Sequence, residues 1–237
     1  MTTAAHAAAQ GGPPYITDDP FTPGPNRWEI NIAPNLERRP GQFIFETPDF
    51  DINYGVGDRI QLKYEIAWLY LKFEGQHSSA MGNLNLGVKL RFLDHESAPL
   101  DVSTYPQFNF NPVSHTELGM LDRDTEFLLP IEFAKKVGSF QLVAEVGLNM
   151  VFDEPDNWIY GLIVTHLIGN VNAGVELHRE TATDLSEDEF IANVGAVIAL
   201  PHGHNLLVSA GHTVRKPGAD DPNVFAYLGL QLHLPIR

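Results

Sequence analysis

Between residues 28 and 234 the chain repeats a two-residue period, and that period limits it to β architectures. Ile60-Gln61-Leu62-Lys63-Tyr64-Glu65-Ile66-Ala67-Trp68 shows it best: every second residue is large and apolar, and those between are polar or small. Successive side chains of a strand point to opposite faces of its sheet, so each such stretch is two-faced. The pattern predicts twelve strands, at about 27–36, 49–55, 60–70, 83–93, 101–110, 125–135, 139–152, 157–167, 170–179, 189–200, 204–214 and 223–234. The connections alternate in length. Tight turns fall at 55–58, 94–99, 136–138, 168–169 and 201–203, and longer loops at 37–48, 71–82, 111–124, 180–188 and 215–222. Only Asp153–Asp156 is short where a long loop is due. Outer-membrane barrels have this asymmetry, with tight periplasmic turns and longer outer loops. An even strand number brings both ends of the barrel to the tight-turn side.

A soluble β-sandwich binding module also alternates, but it buries its apolar face and wets the polar one. Three features favour a closed barrel. Charged residues recur at mid-strand and share the polar face with Gly and Asn, which suits a wet, crowded lumen. Aromatic residues gather near strand ends (Trp28, Trp68, Tyr70, Trp158, Tyr160 and Tyr227), as in the girdles at the two membrane interfaces. The spacing of roughly 20 residues per strand and loop also fits a barrel. No apolar run reaches the roughly 20 residues of a transmembrane helix. The formal net charge of -15 argues against a nucleic-acid partner, and the absence of cysteine excludes disulfides and thiolate metal sites.

Three segments follow. Residues 1–10 end in Ala4-Ala5-His6-Ala7-Ala8-Ala9-Gln10 and read as the remnant of an export signal. Residues 11–26, rich in Pro and Gly, cannot pair regularly in a sheet and form an extended leader. Residues 27–237 form the expected fold: an all-β, single antiparallel up-and-down transmembrane barrel in a bacterial outer membrane.

The leader motif Gly12-Pro13-Pro14-Tyr15-Ile16-Thr17-Asp18-Asp19-Pro20, with Trp28-Glu29, Asn53-Tyr54-Gly55-Val56, Arg59-Ile60-Gln61-Leu62, Gly87-Val88-Lys89-Leu90-Arg91-Phe92 and Ser209-Ala210-Gly211, resembles a family of outer-membrane transporters associated with the meta-cleavage pathway of phenol degradation. The resemblance spans nearly the whole chain. It implies an outer-membrane barrel with a role in uptake of aromatic or other small compounds. The sequence departs from the usual aromatic end of such barrels, closing on Leu234-Pro235-Ile236-Arg237.

The candidate functional residues lie on the polar face. Glu29, Asp51, Lys63, Glu65, Lys89, Arg91, Glu126, Glu132, Glu145 and Glu176 are expected to line the lumen and tune selectivity. Lys63, Glu65, Lys89 and Arg91, on neighbouring strands, are expected to form cross-strand ion pairs. Asp18 and Asp19 are expected to fold into the lumen against Lys89 or Arg91 as a partial plug. The loop carboxylates Asp153, Glu154, Asp156, Asp184, Glu187, Asp188, Glu189, Asp220 and Asp221 read as a solvated rim, with divalent ions shared with lipopolysaccharide as the alternative. His202, His204 and His212 form the densest histidine group and read as exposed turn residues, without a metal. Ser209 and His212, three apart in a strand, point to opposite faces, and no Gly-x-Ser-x-Gly occurs, so no enzyme, catalytic residue or cofactor is expected. The expected function is passive passage of small solutes, aromatic compounds among them, through a barrel embedded in outer-membrane lipid and lipopolysaccharide. A structural or surface-interaction barrel with a side-chain-filled lumen is the alternative. The sequence leaves the oligomeric state open.

Overall fold

The computed structural model describes residues 12–235, except 74, 113–124, 153, 186–187 and 216–223. The strand segments are β1 (Arg27–Arg39), β2 (Gln42–Val56), β3 (Ile60–Phe73), β4 (Gln76–Leu93), β5 (Asp101–Thr104), β6 (Gln107–Phe110), β7 (Glu126–Val137), β8 (Phe140–Val151), β9 (Asn157–Ile168), β10 (Val171–Ala182), β11 (Asp188–Ala199), β12 (Asn205–Arg215) and β13 (Val224–Pro235). β5 and β6 are two halves of one stave, both paired with β4 and β7, so the sheet has twelve staves. All pairings are antiparallel between sequence neighbours, and β1 closes on β13 from Arg27↔Pro235 to Arg38↔Val224. The result is a closed up-and-down barrel.

Closure removes every sheet edge, which is what hydrocarbon demands. An unpaired N–H or C=O there costs several kcal/mol. The alternation then sorts the side chains. Leu62, Tyr64, Leu86, Val88, Leu90, Ile131, Leu162, Val175 and Leu228 all point outward and stay exposed, Val88 to 50 % and Val175 to 54 %. At roughly half exposure each would lose about 1 kcal/mol in water relative to an apolar surrounding. Such residues on stave after stave of a closed wall mark a surface solvated by lipid. The protein is an outer-membrane barrel.

Several expectations are corrected. Residues 37–48 and 71–82 are almost wholly strand: β1 and β2 pair up to Arg39↔Gln42, and β3 and β4 up to Phe73↔Gln76. Alternation continues through both, as in Phe43-Ile44-Phe45-Glu46, and only Pro40-Gly41 and the Gly75 turn interrupt it. A spanning strand needs about 9–11 residues. The 15 residues of β2 and 18 of β4 therefore carry these hairpins beyond the hydrocarbon on the outer side. The 180–188 loop likewise shrinks, since β10 runs to Ala182 and β11 starts at Asp188. Loops 111–124 and 215–222 fall largely outside the described residues, as do residues 1–11, Asp153, Glu187, Asp220, Asp221 and the last two residues. Tyr227 is not a girdle residue. It points inward, 9 % exposed, against Ala33 and Leu207.

The expected strand 101–110 is broken at Tyr105-Pro106. Proline lacks the N–H a central strand must donate. On the adjoining stave Pro130 sits opposite the break, between the pairs Thr104↔Ile131 and Gln107↔Leu128, so two donor-less residues share one gap. The Pro130 carbonyl accepts from the Thr104 hydroxyl at 2.7 Å. Pro34 and Pro48 are likewise placed at β-bulges, between Ala33/Asn35 and Glu46/Asp49.

Candidate functional site: the barrel lumen

The inner wall has two characters. On β1–β4 it is largely polar and acidic, with Ile44, Leu69 and Leu71 buried toward the outer end. Asp51 is the centre, accepting from Asn31 Nδ2 at 3.0 Å and Asn53 Nδ2 at 2.9 Å. Lys63 lies 2.7 Å from Glu65 and 3.9 Å from Asp51. Above them Asn35 donates to both Glu46 (3.1 Å) and Asp49 (3.0 Å). Across the barrel, β7–β12 contribute buried apolar groups among the polar ones: Leu128, Val143, Ile159, Ile163, Ile191 and Leu207.

Lys89 is the hub of the charged network. Its Nζ lies 2.7 Å from Asp18 Oδ1 and 3.6 Å from Glu132 Oε2, donates to the Asp19 carbonyl, and sits 4.5 Å from the centroid of the Tyr105 ring. Only 2 % of its side chain is exposed. A cation this deeply buried is held by its partners, because desolvation alone would make it unfavourable. Ser103 donates to Glu132, and the Tyr105 hydroxyl meets Gln61 at 2.9 Å. The partner of Lys89 is thus the leader and β7, and the cross-strand pair with Glu65 is not formed. The register explains why: Gln61 faces Lys89, Gly87 faces Lys63, and Asn85 faces Glu65.

Residues 12–26 come inward from the turn side, where Asn26 N donates to Gly55 O and Thr22 Oγ1 to Asp58 O. They then cross the lumen. Asp18 N donates to Glu145 at 3.1 Å, Thr17 N and Ile16 N both donate to Glu176 at 2.6 and 3.1 Å, and Tyr15 OH reaches Gly195 O at 3.0 Å. The segment therefore touches β4, β8, β10 and β11 in turn. Glycines on the inner wall make room for it. A Cβ on Gly161 would stand 2.1 Å from Thr17 Oγ1, and on Gly174 2.7 Å from Tyr15 OH. The Tyr15 ring also packs on Ala134, Val143 and Ile163, beside Phe21.

The predicted lumen residues are accounted for individually. Asp51, Lys63, Lys89, Glu126, Glu132, Glu145 and Glu176 are buried on the inner face; Glu29 and Glu65 are half-buried there. Glu126 accepts from Asn149 at 3.2 Å. Arg91 lies at the turn end and donates at 2.7 Å to Asp58 O, the carbonyl that also accepts from Thr22 of the leader, and not to Asp18 or Asp19. Asp19 caps the leader's own backbone through Phe21 N at 2.8 Å. In the turn between β4 and β5, hydrogen bonds from Ser97 hold the Asp94 carboxyl below its usual range. Of the rim carboxylates, Asp188 pairs with Arg179 at 2.8 Å and Glu189 accepts from Thr213. Among the described residues no cluster has a metal-binding arrangement.

Sequence reasoning missed Tyr105, Tyr15, Thr17 and the inner glycines. Tyr105 was readable, since it shares odd parity with Ser103, Gln107 and Asn109, all inward. The glycines on the polar face at 161, 174 and 195 were a weaker signal, because a glycine in a strand marks close approach of some other segment without saying which.

Neither a family model nor a curated relative matches the chain. Solved structures do. An outer-membrane channel of Pseudomonas putida F1 superposes with a TM-score of 0.69 at 11 % identity, covering 88 % of this chain and 94 % of that one. The fold is that of outer-membrane channels. The KdgM porin gives 0.62 at 9 % identity over 86 % and 97 %, and the NanC porin 0.61 at 6 % over 86 % and 98 %.

Proposed function

We propose that the protein is a narrow, passive outer-membrane channel for small solutes, constricted by residues 12–26. One observation carries this reading: the leader is seated in the lumen by contacts with four staves, from Lys89 to Gly195. Apolar patches set among carboxylates on β7–β12, facing a more acidic wall on β1–β4, suit solutes with an apolar or aromatic body. Carboxylates outnumber the inward cations Lys63, Lys89 and Arg39, so the path favours cations over anions. Glu29, Asp51, Glu65, Glu126, Glu132, Glu145 and Glu176 set that preference, and Lys63 and Lys89 moderate it. Arg91 acts at the periplasmic mouth. The resemblance to the phenol-pathway transporters supports aromatic solutes in particular.

The test is single-channel conductance of the full chain and of a variant lacking residues 11–24. The proposal expects higher conductance without the leader, and a reversal potential of cationic sign in both. Unchanged conductance would remove the leader's role. A second reading, a structural barrel with a filled lumen, is favoured by the near-complete burial of Lys89 and Glu132. It predicts no conductance in either form.

A further inference from the structure

The outer rim of the β1–β4 wall carries a feature the lumen does not use. The chain has 30 acidic residues against 15 Lys and Arg. Arg39, Arg59, Lys63, Lys89 and Arg179 each have a carboxylate within 4.0 Å. Among the described residues six have none: Arg27, Arg91, Lys135 and Lys136 at the turn end of the barrel, and Arg38 and Lys72 at the outer end. The last two are exposed on the outward face, two staves apart, with Phe43 between them in register: Arg38↔Phe43 and Phe43↔Lys72. Together with Arg39 and Gln42 they line an open cavity of about 350 Å³.

Its height on the barrel identifies the surroundings. Two aromatic pairs bracket the apolar belt on this wall, Trp28–Tyr54 at the turn end (4.6 Å between centroids) and Phe45–Tyr70 at the outer end (6.5 Å). Tyr54 and Phe45 are nine residues apart on β2. At a rise of ~3.3 Å per residue and a tilt of ~40°, that is roughly 23 Å, close to the ~25 Å apolar band of such barrels. Arg38, Phe43 and Lys72 lie one outward step beyond, roughly 5 Å, at the level of the outer-leaflet headgroups. Guanidinium and ammonium groups on either side of an aromatic ring there match a phosphate on a sugar headgroup whose acyl chains run down past Phe45 and Tyr70.

We propose that this cavity is a docking site for the phosphorylated headgroup of lipopolysaccharide, with Arg38 and Lys72 as its phosphate-binding cations. It rests on the outer-membrane placement of the barrel and is independent of what passes through the lumen.

The test is native mass spectrometry of the full chain in detergent, titrated with lipid A, with dephosphorylated lipid A and with inorganic phosphate. The proteins are the wild type, R38A/K72A, and K135A/K136A, whose lysines sit at the opposite end of β7. Expected are retained lipid A on the wild type and on K135A/K136A, and affinity on the order of 30-fold weaker for R38A/K72A, given the usual gain per cation at an anionic lipid surface. Dephosphorylated lipid A should bind the wild type as weakly as lipid A binds that variant. Equal lipid A binding by all three proteins would overturn the proposal. So would binding of inorganic phosphate alone as tightly as lipid A, which would make this a soluble-anion site.

Discussion

Replacing Lys89 with methionine should release the leader from the lumen while leaving the barrel closed. Lys89 holds Asp18 at 2.7 Å, Glu132 at 3.6 Å, the Asp19 carbonyl and the Tyr105 ring, and both carboxylates are nearly inaccessible, at 5 % and 0 %. Removing one partner of a buried ion pair costs about 3–5 kcal/mol, because the other charge is left without compensation. The two stranded carboxylates have different escapes. Glu132 is fixed in β7, whereas Asp18 can leave with its segment and let water reach Glu132. The cost should therefore appear mainly as undocking, shifting that equilibrium by roughly 10²- to 10³-fold. The chain has no cysteine, so a single T17C reporter measures it. Thr17 is 1 % exposed when docked. Maleimide labelling of T17C in liposomes should accelerate by about two orders of magnitude in K89M. The triple change K89M/D18N/E132Q removes all three charges and should restore slow labelling. Equal rates for T17C with and without K89M would refute the claim that this cluster seats the leader; fast labelling in the triple variant would refute the electrostatic explanation of it.

Other outcomes follow from the same geometry. G161V should expel Thr17 sterically and raise single-channel conductance, with heat-modifiable migration unchanged, since the residue needs no unusual backbone angle. E176A deletes the acceptor of two leader amides and should speed T17C labelling by roughly 100-fold, at about 1.5 kcal/mol for each charge-assisted bond. Converting Asp49 and Asp51 together to asparagine should shift the reversal potential toward zero in a salt gradient, because both carboxylates belong to the acidic wall.

The barrel was legible because a wall between lipid and lumen needs two different faces at every level. In β3 and β8 the inward residues Lys63 and Glu145 and the outward residues Tyr64 and Val146 are adjacent in sequence, so the faces can be read directly. Strand ends were less legible. At Phe43–Glu46 the strand pairing continues through the outer interface up to Arg39↔Gln42, where chain length and composition suggest a longer loop. Residue type suggests a girdle position for Tyr227, whereas parity with Gln231 and His233 puts it inside. The charged lumen residues were found as a set, but their partners were not. Lys89 has a carboxylate two staves away and another 71 residues earlier in the chain, and alternation carries no information about what lies across a lumen. The leader's course depended on glycines whose meaning is the absence of a side chain.

The most direct test of a lumen on the polar face, occupied by the leader, is a cysteine scan of β8 from Leu142 to Met150 in liposomes, reading lipid-phase quenching and aqueous labelling at each position. Residues 142, 144, 146, 148 and 150 should be quenched from the lipid. Residues 143, 145, 147 and 149 should not, and deletion of residues 11–24 should open 145 to aqueous label. Uniform aqueous labelling along β8, or no change at 145 on deletion, would contradict the account.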